Sequence, residues 1–362
     1  MRIARVDVAP FELDYPGDGY RMSHVHLTRL THRVMRLVTD TGAVGYSEVA
    51  RRSAADPEIS TRAEDALIAE LSRLSVHDIP DCLIRWRAMD DPSDTNRAPL
   101  SVAAAVELAF MDLTARQVGL PLSTLLGGPA TGALPAYGSL TCDDPETLAE
   151  KVRARPHHPV IQAKLGADGG VDRDLERIEA CLAALEPGQI LLADFNGALD
   201  LETAHHAVQQ IRDERLVWED PCRSYDDNAE LAHAHGVPMM FDMCMSSVEM
   251  FVRAARDGLA HSVVIKPPFV GGLGPARTAR DLCAAAGIRM RIDGPWSGPL
   301  AAVANLHLAL GAPRDLLLCS ADLTDPFEES FDMIRHPTPG HVAPGWGVGL
   351  GDIPDGLFPD NP

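Results

Sequence analysis

The sequence has little positive charge and no long uninterrupted apolar run. Its 32 lysines and arginines face 52 aspartates and glutamates, which gives a formal net charge of −20. A surface of that sign opposes binding to nucleic acid and to anionic membranes. No apolar run approaches the roughly 18 residues typical of a membrane-spanning helix. We therefore expect neither a nucleic-acid partner nor a membrane partner.

Cysteine pairs with metal-binding or redox spacing are also absent. The seven cysteines are scattered and form no CxxC motif, so reduced thiols are their expected state. The chain opens with Met1-Arg-Ile-Ala-Arg-Val-Asp7, a charged and strand-like segment that does not have the pattern of a signal peptide. Both observations predict a cytoplasmic location.

What the sequence does contain is enough apolar material for a large core. Its 362 residues are 46% hydrophobic. This length exceeds one ordinary domain and suits a barrel of roughly 250 residues with a smaller second domain.

Five short apolar runs each end in a charged residue. These end residues follow one another at intervals of 23 to 30 residues, which leaves room for a turn, an amphipathic helix and another turn. Short buried strands that alternate with helices indicate βα units and a parallel sheet. Regular repetition of such units suggests a closed barrel, whose chemistry lies where the strands end. The runs are Ile161–Lys164, Ile190–Asp194, Leu216–Glu219, Met239–Asp242 and Val263–Lys266.

The rest of the chain completes this plan. The segment 134–138 is the expected first barrel strand, and 289–293 and 315–320 are the expected seventh and eighth. Before the barrel, alternation predicts a strand over residues 2–13 and a hairpin over 32–50 that turns at Asp40-Thr-Gly42. Helical patterns follow at about 57–75, 78–90 and 101–116. We expect an α+β domain over 1–125, the barrel over 126–325 and a returning C-terminal segment over 326–362.

Three of the strand-end residues are carboxylates and are the candidate metal ligands. Asp194, Glu219 and Asp242 offer hard oxygen atoms without cysteine or histidine, which favours Mg²⁺, or Mn²⁺, over zinc. Their alternative role is structural, because acidic residues at barrel strand ends also pair with neighbouring cations. Three consecutive strands that end in this way make the metal site the better interpretation.

Lys164 and Lys266 end the strands on either side of the three acids and are the candidate catalytic residues. A lysine becomes a base near neutral pH when burial or a nearby cation lowers its pKa. A positioned base of this kind contributes on the order of 10²–10⁴ in rate. The alternative is that each lysine only forms a salt bridge to a neighbouring carboxylate.

Several motifs give the chain a resemblance to a known family. It resembles the enolase superfamily, in the mandelate racemase and muconate lactonizing enzyme family, and more specifically the muconate-lactonizing branch. The resemblance covers nearly the whole length. Its motifs are the helix Ala104–Leu113, Gly119-Leu-Pro121, Leu125-Leu-Gly-Gly128, Ala163-Lys-Leu-Gly166, Ala193-Asp-Phe-Asn-Gly197, Trp218-Glu-Asp-Pro221, Ile265-Lys266 and Gly271-Gly272.

The resemblance implies both a fold and a chemistry. The fold is α/β, a modified TIM-type (β/α)7β barrel with an α+β capping domain whose loops, here 15–27 and 47–58, close over the mouth. The chemistry is Mg²⁺-dependent removal of a proton α to a carboxylate through a metal-stabilised enolate. Asp194, Glu219 and Asp242 match the metal ligands, Lys164 and Lys266 the acid/base pair, and Asn196 a polar residue beside the metal. Homo-oligomers, dimers or octamers, are expected by the same analogy.

Two positions depart from the family pattern. Gln162 stands where an outer lysine is usual, which bears on the pKa of Lys164 but not on its position. The segment Met243-Cys-Met245 after Asp242 lacks a neighbouring acid that is common there. Strands six and seven end in Lys266 and Asp293 instead of the Asp–His pair of the mandelate racemase branch, which argues against that branch.

The substrate is expected to be a small amino acid or a proline derivative. An acid near the mouth suits an ammonium group and an aromatic ring can stack on it, a combination that resembles hydroxyproline-betaine epimerases and cis-3-hydroxyproline dehydratases. Ordinary hydrogen bonds at the rim and a packed aromatic ring are the alternative. The candidate substrate-binding residues are Tyr20, Gln162, Asn196, Asp293, Trp296 and Asp322.

Three functions remain open on this scaffold. Racemisation, epimerisation or β-elimination is the preferred reading. A cycloisomerase or an acid-sugar dehydratase is the first alternative. A non-catalytic metal-binding barrel is the second.

Overall fold

The N-terminal part of the chain is a three-stranded antiparallel sheet covered by helices. The computed structural model describes residues 1–49, 57–72, 74–91, 97–168, 170–294, 298–320, 333–345, 347–354 and 356–358. Strand order in the first sheet is β1-β4-β5, and a short β2–β3 hairpin projects from it. The hairpin turn at Asp40–Gly42 forms as predicted, with Gly42 at φ 79°. These strands are β1 (Ile3–Asp14), β2 (Tyr20–Met22), β3 (Val25–Leu27), β4 (Arg29–Thr39) and β5 (Val44–Val49).

Four helices belong to this part, and the longest of them, α3, is buried against the others. They are α1 (Pro57–Leu71), α2 (Ile79–Ala88), α3 (Ala98–Val118) and α4 (Leu122–Leu125). Strand β5 approaches α3 closely because Gly45 has no side chain, and a Cβ there would lie 2.0 Å from the Ala109 carbonyl oxygen. By length and composition α3 could cross a membrane, but 78% of its most apolar window is buried. That burial accounts for its apolar composition as a core helix.

The second part of the chain is a parallel eight-stranded barrel. Its strands follow chain order around the sheet, and a bridge between Ala136 and Ser320 joins the last strand to the first. The strands are β7 (Tyr137–Leu140), β8 (Val160–Lys164), β9 (Ile190–Asp194), β10 (Leu216–Glu219), β11 (Met239–Phe241), β12 (Ser262–Ile265), β13 (Arg289–Ile292) and β14 (Leu317–Ser320).

Helices connect each barrel strand to the next and pack on its outer surface. The expected (β/α)7β architecture with its capping domain is therefore confirmed. The connecting helices are α5 (Pro145–Arg153), α6 (Gly170–Ala184), α7 (Leu201–Gln210), α8 (Tyr225–His235), α9 (Val248–Asp257), α10 (Pro267–Val270), α11 (Leu273–Ala286) and α12 (Pro299–Ala309).

An apolar layer fills the barrel interior below its charged end. Side chains two residues apart on a strand point to the same face, so Val217 lies beneath Glu219, and Met240 lies beneath Asp242. The sequence thus places an apolar layer directly under the strand-end charges. The layer consists of Tyr137, Val160, Leu192, Val217, Met240, Val264 and Cys319.

The first barrel strand lies later than the sequence predicts. Residues Leu134–Pro135 form β6, which pairs outside the barrel with β16 (His341–Pro344) of the C-terminal segment, next to β15 (Ile334–Arg335). Proline has no N–H for a central ladder, and this pairing places it at an edge. The barrel strand itself begins at Tyr137. Further along, Gly349 exchanges backbone hydrogen bonds with residues 120 and 122, where the chain passes from α3 to α4.

Candidate active site

The five predicted charged residues gather at the carboxyl-terminal end of the barrel. Lys164, Asp194 and Glu219 occupy one row across β8, β9 and β10, because each pairs in register with the next. Asp242 and Lys266 directly follow β11 and β12. Asp194 and Glu219 are fully buried, and Asp242 is 2% exposed. The structure therefore brings the predicted residues together in a sheltered position.

Each lysine pairs with one of the outer carboxylates. The Lys164 ammonium contacts Asp194 Oδ2, and the Lys266 Nζ lies 2.8 Å from Asp242 Oδ2. Burial acts to lower the pKa of both lysines, but Asp194 and Asp242 outweigh it and hold those pKa values well above their usual range. The converse holds for Asp242: burial acts to raise its pKa, while Lys266 and Arg291 bring it below its usual value.

Gln162 bridges two of the carboxylates. Its Nε2 donates to Asp194 Oδ2 at 3.0 Å and to Glu219 Oε2 at 2.9 Å. Its Oε1 accepts from Ser139 Oγ at 3.0 Å, and Ser139 is in turn hydrogen-bonded to the Tyr20 hydroxyl. The capping hairpin is thus linked to the carboxylates by a continuous line of buried hydrogen bonds. Tyr20 and Gln162, predicted as substrate contacts, both belong to this line.

Arg291 is a site residue that the sequence reasoning missed. It lies within β13, is 2% exposed, and donates from both terminal nitrogens to Glu219, at 2.8 Å to Oε2 and 2.6 Å to Oε1. The same terminal nitrogen that contacts Oε1 is 3.8 Å from Asp242 Oδ2. A signal was available, because Arg291 stands two residues before Asp293 and must share its face of the strand.

Asp293 lies beside Arg291 and not at a free rim. Its Oδ2 is 2.7 Å from Arg291 Nε and accepts from the Tyr137 hydroxyl at 3.2 Å. Burial raises its pKa, and the positive charges of Arg291 and Lys266 only partly offset that effect. The guanidinium also lies over the Tyr137 ring, 5.3 Å from its centroid. Asp293 is therefore buried at 1% exposure.

Asp220 is a second residue that the sequence reasoning did not single out. Its carboxylate accepts from the backbone N–H groups of Asp242 and Met243, at 3.2 and 2.6 Å, and from the Asn228 side chain. Burial raises its pKa well above the usual value. Asp220 thus shapes the backbone that presents Asp242.

Three side-chain oxygen atoms at the site have no hydrogen-bond partner among the described residues. They are Asp242 Oδ1, Asn196 Oδ1 and Asp293 Oδ1, all buried. Asn196 has φ 48°, and its backbone N–H and side-chain amide both donate to Asp194. Unpartnered hard oxygens beside three carboxylates have the donor chemistry that Mg²⁺ prefers. The residues present therefore fit such an ion.

Lysine, arginine and glutamine side chains lie between the three carboxylates and keep them apart. Within the described ranges, no three acidic, histidine or cysteine side chains stand close enough together to hold an ion as they are placed. Lys164, Gln162 and Arg291 occupy the facing oxygens of Asp194 and Glu219.

The cap also reaches the barrel mouth. His24, between β2 and β3, has a lowered pKa because of partial burial and the positive charges of Lys164, Arg223 and Lys266. Glu48, in the predicted second loop, accepts a hydrogen bond from the backbone N–H of Gly298 in the barrel. Of the remaining predicted residues, Trp296 and Asp322 lie outside the described residues, as does most of the segment 47–58.

Comparison with protein families decides the relationship. The sequence model of the enolase C-terminal domain-like family matches residues 146–355, more than half of the chain. The chain belongs to this family. It is a member of the enolase superfamily, in its mandelate racemase and muconate lactonizing enzyme group, as the motifs predicted.

Similar proteins within the superfamily include enzymes of two reaction types. Cis-3-hydroxy-L-proline dehydratase of Roseibium aggregatum is 26% identical over 324 residues, which cover 89% of this chain and 88% of that protein. N-succinyl-L-Arg/Lys racemase of Bacillus cereus is 23% identical, covering 83% and 81%. A superfamily member from Roseovarius nubinhibens, solved in complex with magnesium, superposes with a TM-score of 0.83 at 27% identity, covering 99% of this chain and 97% of that one.

Proposed function

We propose that this enzyme removes a proton α to a carboxylate on a small amino acid or proline derivative, in a Mg²⁺-dependent reaction. The observation that carries the proposal is the pair of buried lysines. Three strands lie between Lys164 on β8 and Lys266 after β12 in either direction around the eight-stranded barrel, so the two lysines face each other across its mouth. Membership of the superfamily and the chemistry of the relatives support this reading.

Asp194, Glu219 and Asp242 are the proposed ligands for the ion, with Asn196 beside them. Mn²⁺ has the same preference for oxygen and is an expected substitute. When bound, the ion would supply the positive charge that neutralises the carboxylates, lowers the pKa of the lysines and stabilises the enolate. Asp220 maintains the backbone conformation that presents Asp242.

The two lysines have complementary proposed roles. One takes the α proton from its face of the substrate. The other either returns a proton on the opposite face, which inverts the centre, or protonates a β-hydroxyl as it leaves. A racemase or epimerase results in the first case and a dehydratase in the second, and the relatives include both types.

The substrate assignment rests on the acids and aromatic groups near the mouth. We propose that Trp296 and Asp322 surround an ammonium group, with Tyr20, Asp293, Gln162 and Asn196 as further polar contacts. A screen of proline derivatives and betaines against acid sugars and muconates tests this assignment. Turnover confined to acid sugars or muconates would favour the dehydratase or cycloisomerase alternative. The cytoplasmic location and the homo-oligomeric state are further proposals.

Solvent exchange of the α proton tests the two-base proposal directly. In D₂O with Mg²⁺, the wild-type enzyme should incorporate deuterium at the α carbon of its substrate. Lys164→Ala and Lys266→Ala should each lower exchange from one stereoisomer by at least about 10²-fold, because a positioned base contributes on that scale.

The chain offers a matched control, since its three lysines are Lys151, Lys164 and Lys266. Lys151 pairs with Asp143 on the barrel exterior and its side chain is 37% exposed. Lys151→Ala should exchange at the wild-type rate. Full exchange in both site variants would rule out the two-base reaction.

A further inference from the structure

Glu219 is held from two positions at once. Gln162 Nε2 and an Arg291 terminal nitrogen both donate to Glu219 Oε2, at 2.9 and 2.8 Å, and Arg291 also donates to Oε1. All three side chains are buried, at 2% exposure or less. Residue 162 on β8 and residue 291 on β13 therefore converge on one oxygen of Glu219 from two different strands.

Each of the three candidate metal ligands lies against a different cation. Lys164 faces Asp194 and Lys266 faces Asp242. The middle carboxylate, Glu219, has neither lysine as a direct partner. A fully buried carboxylate needs a paired charge or dense hydrogen bonding to be tolerated. Among the described residues, Gln162 supplies a neutral donor to Glu219. Arg291 supplies the positive charge, which Asp293 shares through the Arg291 Nε atom.

We infer that Arg291 is a positioning residue that fixes both oxygens of Glu219. We also infer that one, and only one, of positions 162 and 291 must carry a positively charged side chain. Two cations there would both lie within hydrogen-bond distance of one oxygen and would repel each other. No cation at either position would leave Glu219 buried without a counter-charge. Arg291 is suited to the task because its planar fork binds both carboxylate oxygens together.

This inference deepens the proposed function, but only one arm of its test depends on that function. The first arm measures the melting temperature of the protein in EDTA, without substrate. Arg291→Gln and Gln162→Lys should each lower it by roughly 5–10 °C, since each leaves a buried charge unmatched. The double variant Q162K/R291Q should recover at least half of the loss, because a lysine at 162 can then serve Glu219.

A neutral partner provides the matched control. Q162M/R291Q has no cation at either position and should melt no higher than R291Q alone. Losses in Q162K/R291Q that equal the sum of the single losses would overturn the inference, because independent sites add. Equal recovery by methionine and by lysine would overturn it too. If R291Q fails to fold, folding of Q162K/R291Q supports the inference, and failure of both overturns it.

The second arm measures α-proton exchange and the Kd for Mg²⁺ by calorimetry. R291Q should lose about 10–100-fold in exchange or in metal affinity, the usual effect of removing a group that orients a metal ligand. Arg291→Lys keeps the charge but not the fork, and should lose less than R291Q. Q162K/R291Q should return to within about tenfold of wild type. Exchange absent from wild type would refute the proposed function while leaving the melting result intact.

Discussion

At the scale of single residues, the lysine charges depend on the carboxylates that face them. Asp194 and Asp242 lie against Lys164 and Lys266 and favour the charged form of each lysine, which raises the pKa of both in spite of their burial. A group whose pKa is raised by folding stabilises the fold below its unfolded pKa, and that contribution is lost as pH rises through the folded value. For a lysine the loss begins only above about pH 10.4. A base at neutral pH therefore requires a change in its surroundings.

NMR of protein labelled with ¹³C-lysine can follow both groups, because the chain has three lysines. Without metal, the signals of Lys164 and Lys266 should not titrate as pH is raised to about 10.4, the usual lysine pKa. With Mg²⁺, both should titrate at lower pH, because neutralised carboxylates no longer favour the charged amine. Lys→Arg variants assign the signals, and the Lys151 signal is the internal reference. Titration of either site lysine below the usual pKa in metal-free protein would contradict the pairing.

At the scale of secondary-structure elements, the cap is fastened to the barrel by a carboxylate at a helix start. Glu48, the penultimate residue of β5, accepts from the backbone N–H groups of Gly298 and Ala301, at 2.7 and 3.3 Å, at the first turn of α12. His32 on β4 contacts the same carboxylate. A negative charge at a helix N-terminus is favourable, and this one joins two parts of the fold. It also holds the backbone next to the segment that carries Trp296.

Glu48→Ala should lower the free energy of unfolding by about 2–3 kcal/mol, because buried N–H groups and His32 lose their acceptor. Glu48→Gln keeps an acceptor without the charge and should cost less than Glu48→Ala. Urea denaturation of the metal-free protein measures both. Glu12→Ala removes a half-exposed acid on β1 and is the control. Equal stability of Glu48→Ala and wild type would show that the contact does not fasten the cap.

The sequence predicted features that depend on local pattern. The strand ends at Asp194 and Glu219 followed from apolar runs of strand length and their spacing. Arg291 was missed because its contact with Glu219 joins β13 to β10, and nothing local shows which side chains meet across a barrel. The first barrel strand was placed too early because Leu134–Pro135 pairs with a strand more than 200 residues later in the chain. The Glu48–Gly298 contact escaped for the same reason.

At the scale of the whole molecule, two motifs of the family pattern contact each other. They are the helix segment Ala104–Leu113 in the cap and Gly271-Gly272 in the barrel. Glu107 of α3 pairs with Arg87 of α2 at 2.7 Å and accepts from the Gly274 backbone N–H at 2.9 Å. A Cβ at Gly272 would lie 2.1 Å from Glu107 Oε2. The glycines after Lys266 therefore let the cap helix approach the barrel. The boundary proposed near residue 125 separates parts that are firmly packed together.

Mg²⁺ should stabilise the whole molecule because it binds the folded state alone. At a concentration of 100 times Kd, the gain is about 2.7 kcal/mol, which is a melting shift of several degrees for a chain of this size. Differential scanning fluorimetry in EDTA and in Mg²⁺ measures it. Asp242→Asn should abolish most of the shift, whereas Asp281→Asn, on the exposed surface of α11, should keep it. Identical melting in EDTA and Mg²⁺ would contradict the proposed ligands.

The line of hydrogen bonds from Tyr20 through Ser139 and Gln162 to Glu219 connects the β2–β3 hairpin of the cap to the carboxylates of the barrel. If the β2–β3 hairpin moves away from the barrel to admit a ligand, the hydrogen bond between Tyr20 and Ser139 must break. Ser139, which donates to Gln162, is then no longer held by the hairpin. Glu219 would keep its hydrogen bonds from Arg291, whereas the Gln162 side chain that also donates to it would be less firmly positioned. Ligand entry past the hairpin and the positioning of the catalytic carboxylates would then be coupled through these hydrogen bonds.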